Sequence, residues 1–229
     1  MRQQVGHPDS RLRHPVPGSR VTLPNVITVV RIAACPVIFF LAIAPGIGLR
    51  LWAFGLFVAA ALSDIWDGYL ARRYDLITDM GKLLDPIADK LLLVATFVPF
   101  YLISHRASDA DLIPWWGAMP IWVIVVIFGR ELFITLFRGY AVRCGVVIPA
   151  GASGKRKTLF QLVFAGSLLL WYPLRAIAED RAWNGTLWSF WAQLHGGWVA
   201  VTLAIAIVLT VYSMMDYLWS YRSVAGIRN

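Results

Sequence analysis

Six stretches of about twenty residues, near 24–45, 51–73, 82–104, 115–138, 156–176 and 197–220, are almost unbroken in apolar side chains. Within them polar residues do not recur at the helical spacing of a half-solvated helix; they gather at the ends. About twenty apolar residues rising 1.5 Å each cover the roughly 30 Å of bilayer hydrocarbon, so each stretch predicts a transmembrane helix. A soluble alternative would need to enclose several helices that are apolar all round, and 229 residues are too few to do so. The expected fold is an all-α integral membrane protein, six transmembrane helices around a cytoplasm-facing polar cavity, with no internal repeat and no second soluble domain. Residues 21–222 would form this domain, 1–20 a basic tail and 223–229 a short C-terminal tail.

Composition sharpens that picture. The chain is 59% hydrophobic and 15% charged, with a mean hydropathy of +0.64, which excludes an ordinary water-soluble domain. Its net charge of +8 is distributed unevenly. With both termini in the cytoplasm, all but four of the 21 Lys and Arg fall inside, and only Arg50, Arg106, Arg175 and Arg181 fall outside. That bias gives the orientation, and it assigns the positive charge to membrane lipids, with no nucleic-acid partner implied. Trp115, Trp116, Trp171, Trp183, Trp188, Trp191 and Trp198 cluster at the expected outer ends, where amphipathic rings suit the headgroup layer. The segment WNGTLWSFWAQLHGGW, 183–198, is expected to form a short helix in the outer interface. Its Asn184-Gly185-Thr186 sequon has no role outside a eukaryotic secretory setting. Cys35 in the first span and Cys144 in a cytoplasmic loop give no disulfide framework.

Polar interruptions fall on one side. LPNVITVVR (23–31), SDIWDGYLARRYDLITDMGKLLDPIADK (63–90), GRELFITLFR (129–138), SGKRKTLFQ (153–161) and YSMMDYLWSYR (212–222) all lie at cytoplasmic helix ends, so one site built from five helix ends is the economical arrangement. Asp64 and Asp67 are spaced i, i+3 and Asp85 and Asp89 i, i+4, which lines each pair along one helix face. The connection between them is short enough to make the two helices antiparallel neighbours. A carboxylate at mid-bilayer costs on the order of 2.5–3.5 kcal/mol, and less near the interface, so four in one block require compensating cations. Oxygen-only donors without clustered His or Cys suit hard ions, Mg²⁺ or Mn²⁺, and two such ions about 3.5–4 Å apart form a clamp for phosphoryl displacement. Gly68 and Gly81 leave room for a flat base or a pyrophosphate, and Arg72 offers a forked donor to phosphate oxygens.

These residues resemble a known family. Asp64, Asp67, Gly68, Ala71, Arg72, Gly81, Asp85 and Asp89, eight residues across 26 positions, are similar to the full signature of the CDP-alcohol phosphotransferases. The resemblance implies a dimeric, six-helix membrane enzyme that transfers a substituted phosphate from a CDP-linked lipid to an alcohol and releases CMP. It implies that Asp64, Asp67, Asp85 and Asp89 bind two divalent ions, that Asp89 also takes the acceptor's hydroxyl proton, and that Gly68, Ala71, Arg72 and Gly81 form the nucleotide pocket, with Thr78 within reach of it. Direct displacement with Asp89 as base is the expected course, and a covalent phospho-aspartate stays open as the alternative.

Outside the signature, PNVIT with Arg31, GRE with Arg138, and GKRKT with Gln161 resemble the branch of the family that uses sn-glycerol 3-phosphate with CDP-diacylglycerol. Arg130, Arg138, Lys155 and Lys157 would then hold the acceptor phosphate. Glu131 would pair with one of the arginines, and Asn25, Thr28, Arg31 and Asp216 would line the cavity. Expected surroundings are a bacterial cytoplasmic membrane, a homodimer and membrane lipids. Inositol phosphate, phosphatidylglycerol and other acceptors stay open, as does, more remotely, a cation path. A path should carry polar groups at several depths, whereas these crowd one side.

Overall fold

The computed structural model describes residues 23–74, 79–106, 111–144 and 152–221, with the side chains of 70–72, 79, 82, 152 and 153 outside that description. Six helices follow in order: α1 Leu23–Ile43, α2 Ile47–Arg73, α3 Asp79–Ser104, α4 Ile121–Arg143, α5 Ala152–Asp180 and α6 Thr186–Ser220. All run up and down through one bundle. Five are long and apolar enough to cross a membrane. The remaining helix, α4, is apolar up to Gly129 and then carries Arg130, Glu131 and Arg138. Pro36, Pro86, Pro99 and Pro173 lie inside helices, which packed membrane helices tolerate because neighbours satisfy the freed carbonyls.

Helix α1 packs on α2 and α3, α5 on α6 and α2, and α4 chiefly on α6. The core is aromatic where α3 meets α5. Phe97 and Phe100 of α3 meet Phe164 of α5 with ring centroids 5.5 and 5.8 Å apart, and all three rings are fully buried. Where α5 crosses α2, Gly166 lets Phe57 approach so closely that an added Cβ would lie 3.2 Å from Phe57 Cε1.

Three expectations need correction. Helices α2 and α3, expected as antiparallel neighbours, make little direct contact among the described residues; each packs on α1, which brings their acidic ends together. The fourth span, expected at 115–138, begins at Ile121 and runs to Arg143. Pro120 sits before it with φ −65° and ψ 136°, and the preceding residues turn back on themselves through Trp115 (φ 65°) and Gly117 (φ 70°) with an Ile113–Gly117 bridge. Pro114 and Pro120 each push the residue before them out of the helical region. The segment 183–198 is no separate interfacial helix: from Thr186 onward it is continuous with α6, which reaches 35 residues. Gly196 and Gly197 do not break α6; a Cβ at Gly196 would lie 3.2 Å from Pro114 and one at Gly197 3.6 Å from Trp115, so the pair is where the 111–117 turn nests. At this far end of the bundle Arg50 donates to Asp111 at 3.1 Å and to Ala44 O at 3.0 Å, fastening the turn to the α1–α2 corner.

Candidate active site

The N-terminus of α1, the C-terminal half of α2 and the start of α3 meet at the other end of the bundle. Arg31 is the centre of that meeting. Its side chain is 1% exposed; Nη1 donates to Asp64 and Nη2 to Asp67, and Nη1 lies 3.9 Å from Asp89. Thr28, one turn earlier on α1, places Oγ1 3.0 Å from Pro24 O, 3.1 Å from Asp85 Oδ1 and 3.5 Å from Asp67 Oδ2, and can donate to one of the three at a time. Thus all four signature aspartates touch, or closely approach, two neighbouring side chains of α1. The i, i+3 and i, i+4 spacings read from the sequence are what turn both pairs toward this point. Asn25 is buried at the start of the same helix.

Charge at this cluster is not balanced by its own residues. Four carboxylates face one guanidinium, and Arg31 Nε is itself buried without a hydrogen-bond partner among the described residues. No three carboxylates, imidazoles or thiolates among the described residues close into a cation cage, since the guanidinium separates them. The donor set is nevertheless all oxygen, carried on rigid helices and short of positive charge, which fits hard divalent ions.

A cavity of about 610 Å³ opens beside the aspartates. Asp64 of α2 and Asp85 and Asp89 of α3 line it, as do Arg130, Glu131 and Arg138 of α4 and Lys155 and Lys157 at the first turns of α5. Arg130 and Arg138, eight apart, share a helix face as their spacing requires. Lys155 and Lys157 cannot share one, yet both border the cavity because α5 begins there. The four cations are not alike. Lys155 is exposed, while Lys157 and Arg130 are buried; Arg138 lies with its guanidinium carbon 5.8 Å from the Tyr217 ring centroid. Glu131 pairs with Arg130 at 3.2 Å and also with Lys157.

Not every expected residue joins this cavity. Gly68 and Gly81 belong to the same two helices but stand outside its lining; Thr78 and the side chains of Ala71 and Arg72 lie outside the described residues. Asp67, Thr28 and Arg31 back the acidic wall from beneath. Gln161 is fully buried and donates to Thr210 of α6 at 3.0 Å, so it ties α5 to α6. The lining also takes in Lys90, which donates to Thr135 at 2.7 Å, and Ser213, Asp216, Tyr217 and Ser220 of α6. Of these only Asp216 stood out in the sequence. The signal for the other α6 residues was present as a polar stripe at 213, 216, 217 and 220, one helix face in an otherwise apolar span.

Residues 21–212 match the CDP-alcohol phosphatidyltransferase family. The chain is 35% identical over 211 residues to a Mycobacterium tuberculosis protein named a probable phosphatidylglycerophosphate synthase, covering 90% of this chain and 85% of the relative. It is 32% identical over 199 residues to a Bacillus subtilis protein named CDP-diacylglycerol–glycerol-3-phosphate 3-phosphatidyltransferase, covering 78% of this chain and 96% of that one. A Streptomyces coelicolor protein named cardiolipin synthase (CMP-forming) is 29% identical over 182 residues, 78% of this chain and 75% of the relative. With nearly the whole helical bundle matched, and with the signature aspartates brought together on α1, α2 and α3, this chain is an integral membrane enzyme of the CDP-alcohol phosphatidyltransferase family.

Proposed function

We propose that this enzyme transfers the phosphatidyl group of CDP-diacylglycerol to sn-glycerol 3-phosphate, giving phosphatidylglycerol phosphate and CMP. One observation carries the reading: a single cavity is lined both by the carboxylates Asp64, Asp85 and Asp89 and by Arg130, Arg138, Lys155 and Lys157. A phosphorylated small acceptor suits those cations better than an uncharged alcohol does. The relatives from Mycobacterium tuberculosis and Bacillus subtilis bear names for the same reaction.

In this mechanism the cationic wall holds the acceptor's phosphate and turns its free hydroxyl toward the aspartates. Asp89, half exposed to the cavity, accepts the hydroxyl proton as the glycerol oxygen bonds to the lipid-side phosphorus and the bond from that phosphorus to the CMP oxygen breaks. Asp64, Asp67, Asp85 and Asp89 would hold two divalent ions, Mg²⁺ or Mn²⁺, which when bound polarise the phosphorus and offset charge on the leaving CMP. Gly68, Ala71, Arg72, Thr78 and Gly81 would receive the cytidine diphosphate. Arg31 and Thr28 fix the carboxylates in register, and Asn25 supports the same end of α1. Residues 21–222 act as one unit, a homodimer in a bacterial cytoplasmic membrane, with both termini on the cytoplasmic side where the Lys and Arg excess lies.

An acceptor panel decides the matter. Purified protein in nanodiscs, given CDP-diacylglycerol, Mg²⁺ or Mn²⁺ and one acceptor at a time, should release CMP with sn-glycerol 3-phosphate, and mass spectrometry should find phosphatidylglycerol phosphate. Product with inositol phosphate or phosphatidylglycerol instead would replace the acceptor named here. Asp85→Asn should abolish CMP release while leaving a folded protein; full turnover by that variant would overturn the metal-site assignment.

A further inference from the structure

Glu131 holds a position that an acceptor would need. Its Oε1 accepts hydrogen bonds both from Arg130 Nη1, at 3.2 Å, and from Lys157 Nζ. These cations come from different helices, and their side chains are 9% and 2% exposed. Arg130 lies against the first turns of α5, where a Cβ on Gly154 would sit 3.7 Å from its Nη2. Its Nε is buried with no hydrogen-bond partner among the described residues. Two buried cations aimed at one point repel each other unless an anion occupies that point. Here the anion is supplied by the chain, and it faces the cavity.

We propose that Glu131 is an internal stand-in for the acceptor's phosphate, a specificity-determining residue whose carboxylate must be displaced before an acceptor can bind. The inference rests on the acceptor reading above. Its chemistry is a comparison of charge. Glu131 carries one negative charge and is tethered at the site, so an incoming group of equal charge competes at a disadvantage. A phosphate monoester is largely a dianion at neutral pH, its second pKa being about 6, and gains more from two cations than the carboxylate gives up. A phosphodiester is a monoanion and an alcohol is neutral; neither outcompetes the tethered carboxylate. Glu131 therefore admits phosphate monoesters and turns away both other classes at one gate.

Binding separates this from a merely structural role. Full-length protein in nanodiscs, without CDP-lipid, is titrated calorimetrically with sn-glycerol 3-phosphate, methyl phosphate and dimethyl phosphate. Glu131→Gln should bind sn-glycerol 3-phosphate roughly 5- to 10-fold more tightly, because apparent affinity is reduced by the fraction of molecules in which the carboxylate holds the site. Its preference for methyl over dimethyl phosphate should shrink, and in turnover KM should fall by a larger factor than kcat changes. Glu131→Asp, which keeps the charge, should retain the wild-type preference. Weaker binding by Glu131→Gln, or an unaltered preference, would show that Glu131 only shapes Lys157 and would sink the idea. If Glu131→Gln is unstable, inorganic phosphate should restore its melting temperature by filling the same point, and failure to do so counts equally against it. Arg130→Gln keeps the two claims apart: wild-type affinity for sn-glycerol 3-phosphate in that variant overturns the acceptor site itself, whereas lost affinity together with no gain in Glu131→Gln overturns only the present inference.

Discussion

Arg31 brings a fixed positive charge to the one place in the bundle where negative charge is concentrated, and it does so from a helix that carries no other charged side chain. Replacing it with Gln would leave Asp67, 7% exposed, without its cation. Removing one partner of a buried ion pair costs on the order of 3 kcal/mol or more. Arg31→Gln should therefore melt well below the wild type in EDTA, and Mn²⁺ should narrow the gap by supplying charge to the same carboxylates. Thermal unfolding in both conditions checks this, and equal melting temperatures in EDTA would mean that Arg31 is dispensable to the cluster. At this scale the sequence was most legible where spacing is rigid: the four aspartates lie on helices, so i, i+3 and i, i+4 already decide which way they point. The role of Arg31 was harder to read, because contact between residue 31 and residues 64 and 67 depends on how α1 crosses α2, which no local pattern encodes. The same holds for Lys157, whose burial beside Glu131 follows from where α5 begins relative to α4.

Helices inherit their limits from a few residues. The α1, α2 and α3 spans were readable to within a few positions because apolar runs end in polar or turn-forming residues. The start of α4 was not, since Trp115 and Trp116 look like span residues in composition but lie in a turn between Pro114 and Pro120. For α6 the tryptophan-rich segment 183–198 was expected as a separate interfacial helix, whereas it is continuous with the span, and Gly196 and Gly197 are where it meets Pro114 and Trp115. Another glycine contact can be tested directly. Gly166 lets α5 lie on Phe57 of α2, and α2 carries Asp64 and Asp67. Gly166→Val should destabilise the protein by about 1–3 kcal/mol, the usual cost of overpacking, and lower turnover by shifting the acidic wall against α5. Unchanged stability and unchanged turnover would show that α2 and α5 slide freely past each other.

Across the whole molecule the two ends of the bundle differ in kind: one holds the cavity, the other a stack of aromatic rings. Trp171, Trp191 and His195 lie nearly parallel, Trp191 and His195 with centroids 4.6 Å apart. Orientation in the membrane can be measured without engineering, because Cys144, at the cavity end, is exposed and Cys35 is buried. A membrane-impermeant maleimide should label the native protein in inside-out vesicles and leave it unlabelled in intact spheroplasts; the opposite result would reverse the proposed topology. At 35 residues, α6 is about 52 Å long, against roughly 30 Å of hydrocarbon, and it is the one element with the ring stack at its beginning and the cavity wall at its end. Of the eleven tryptophans, all but Trp66 and Trp219 lie toward the ring-stack end. The two ends thus offer a lipid surface different things: exposed indoles such as Trp52 and Trp115 at the ring-stack end, and Trp66 and Trp219 beside most of the Lys and Arg at the cavity end.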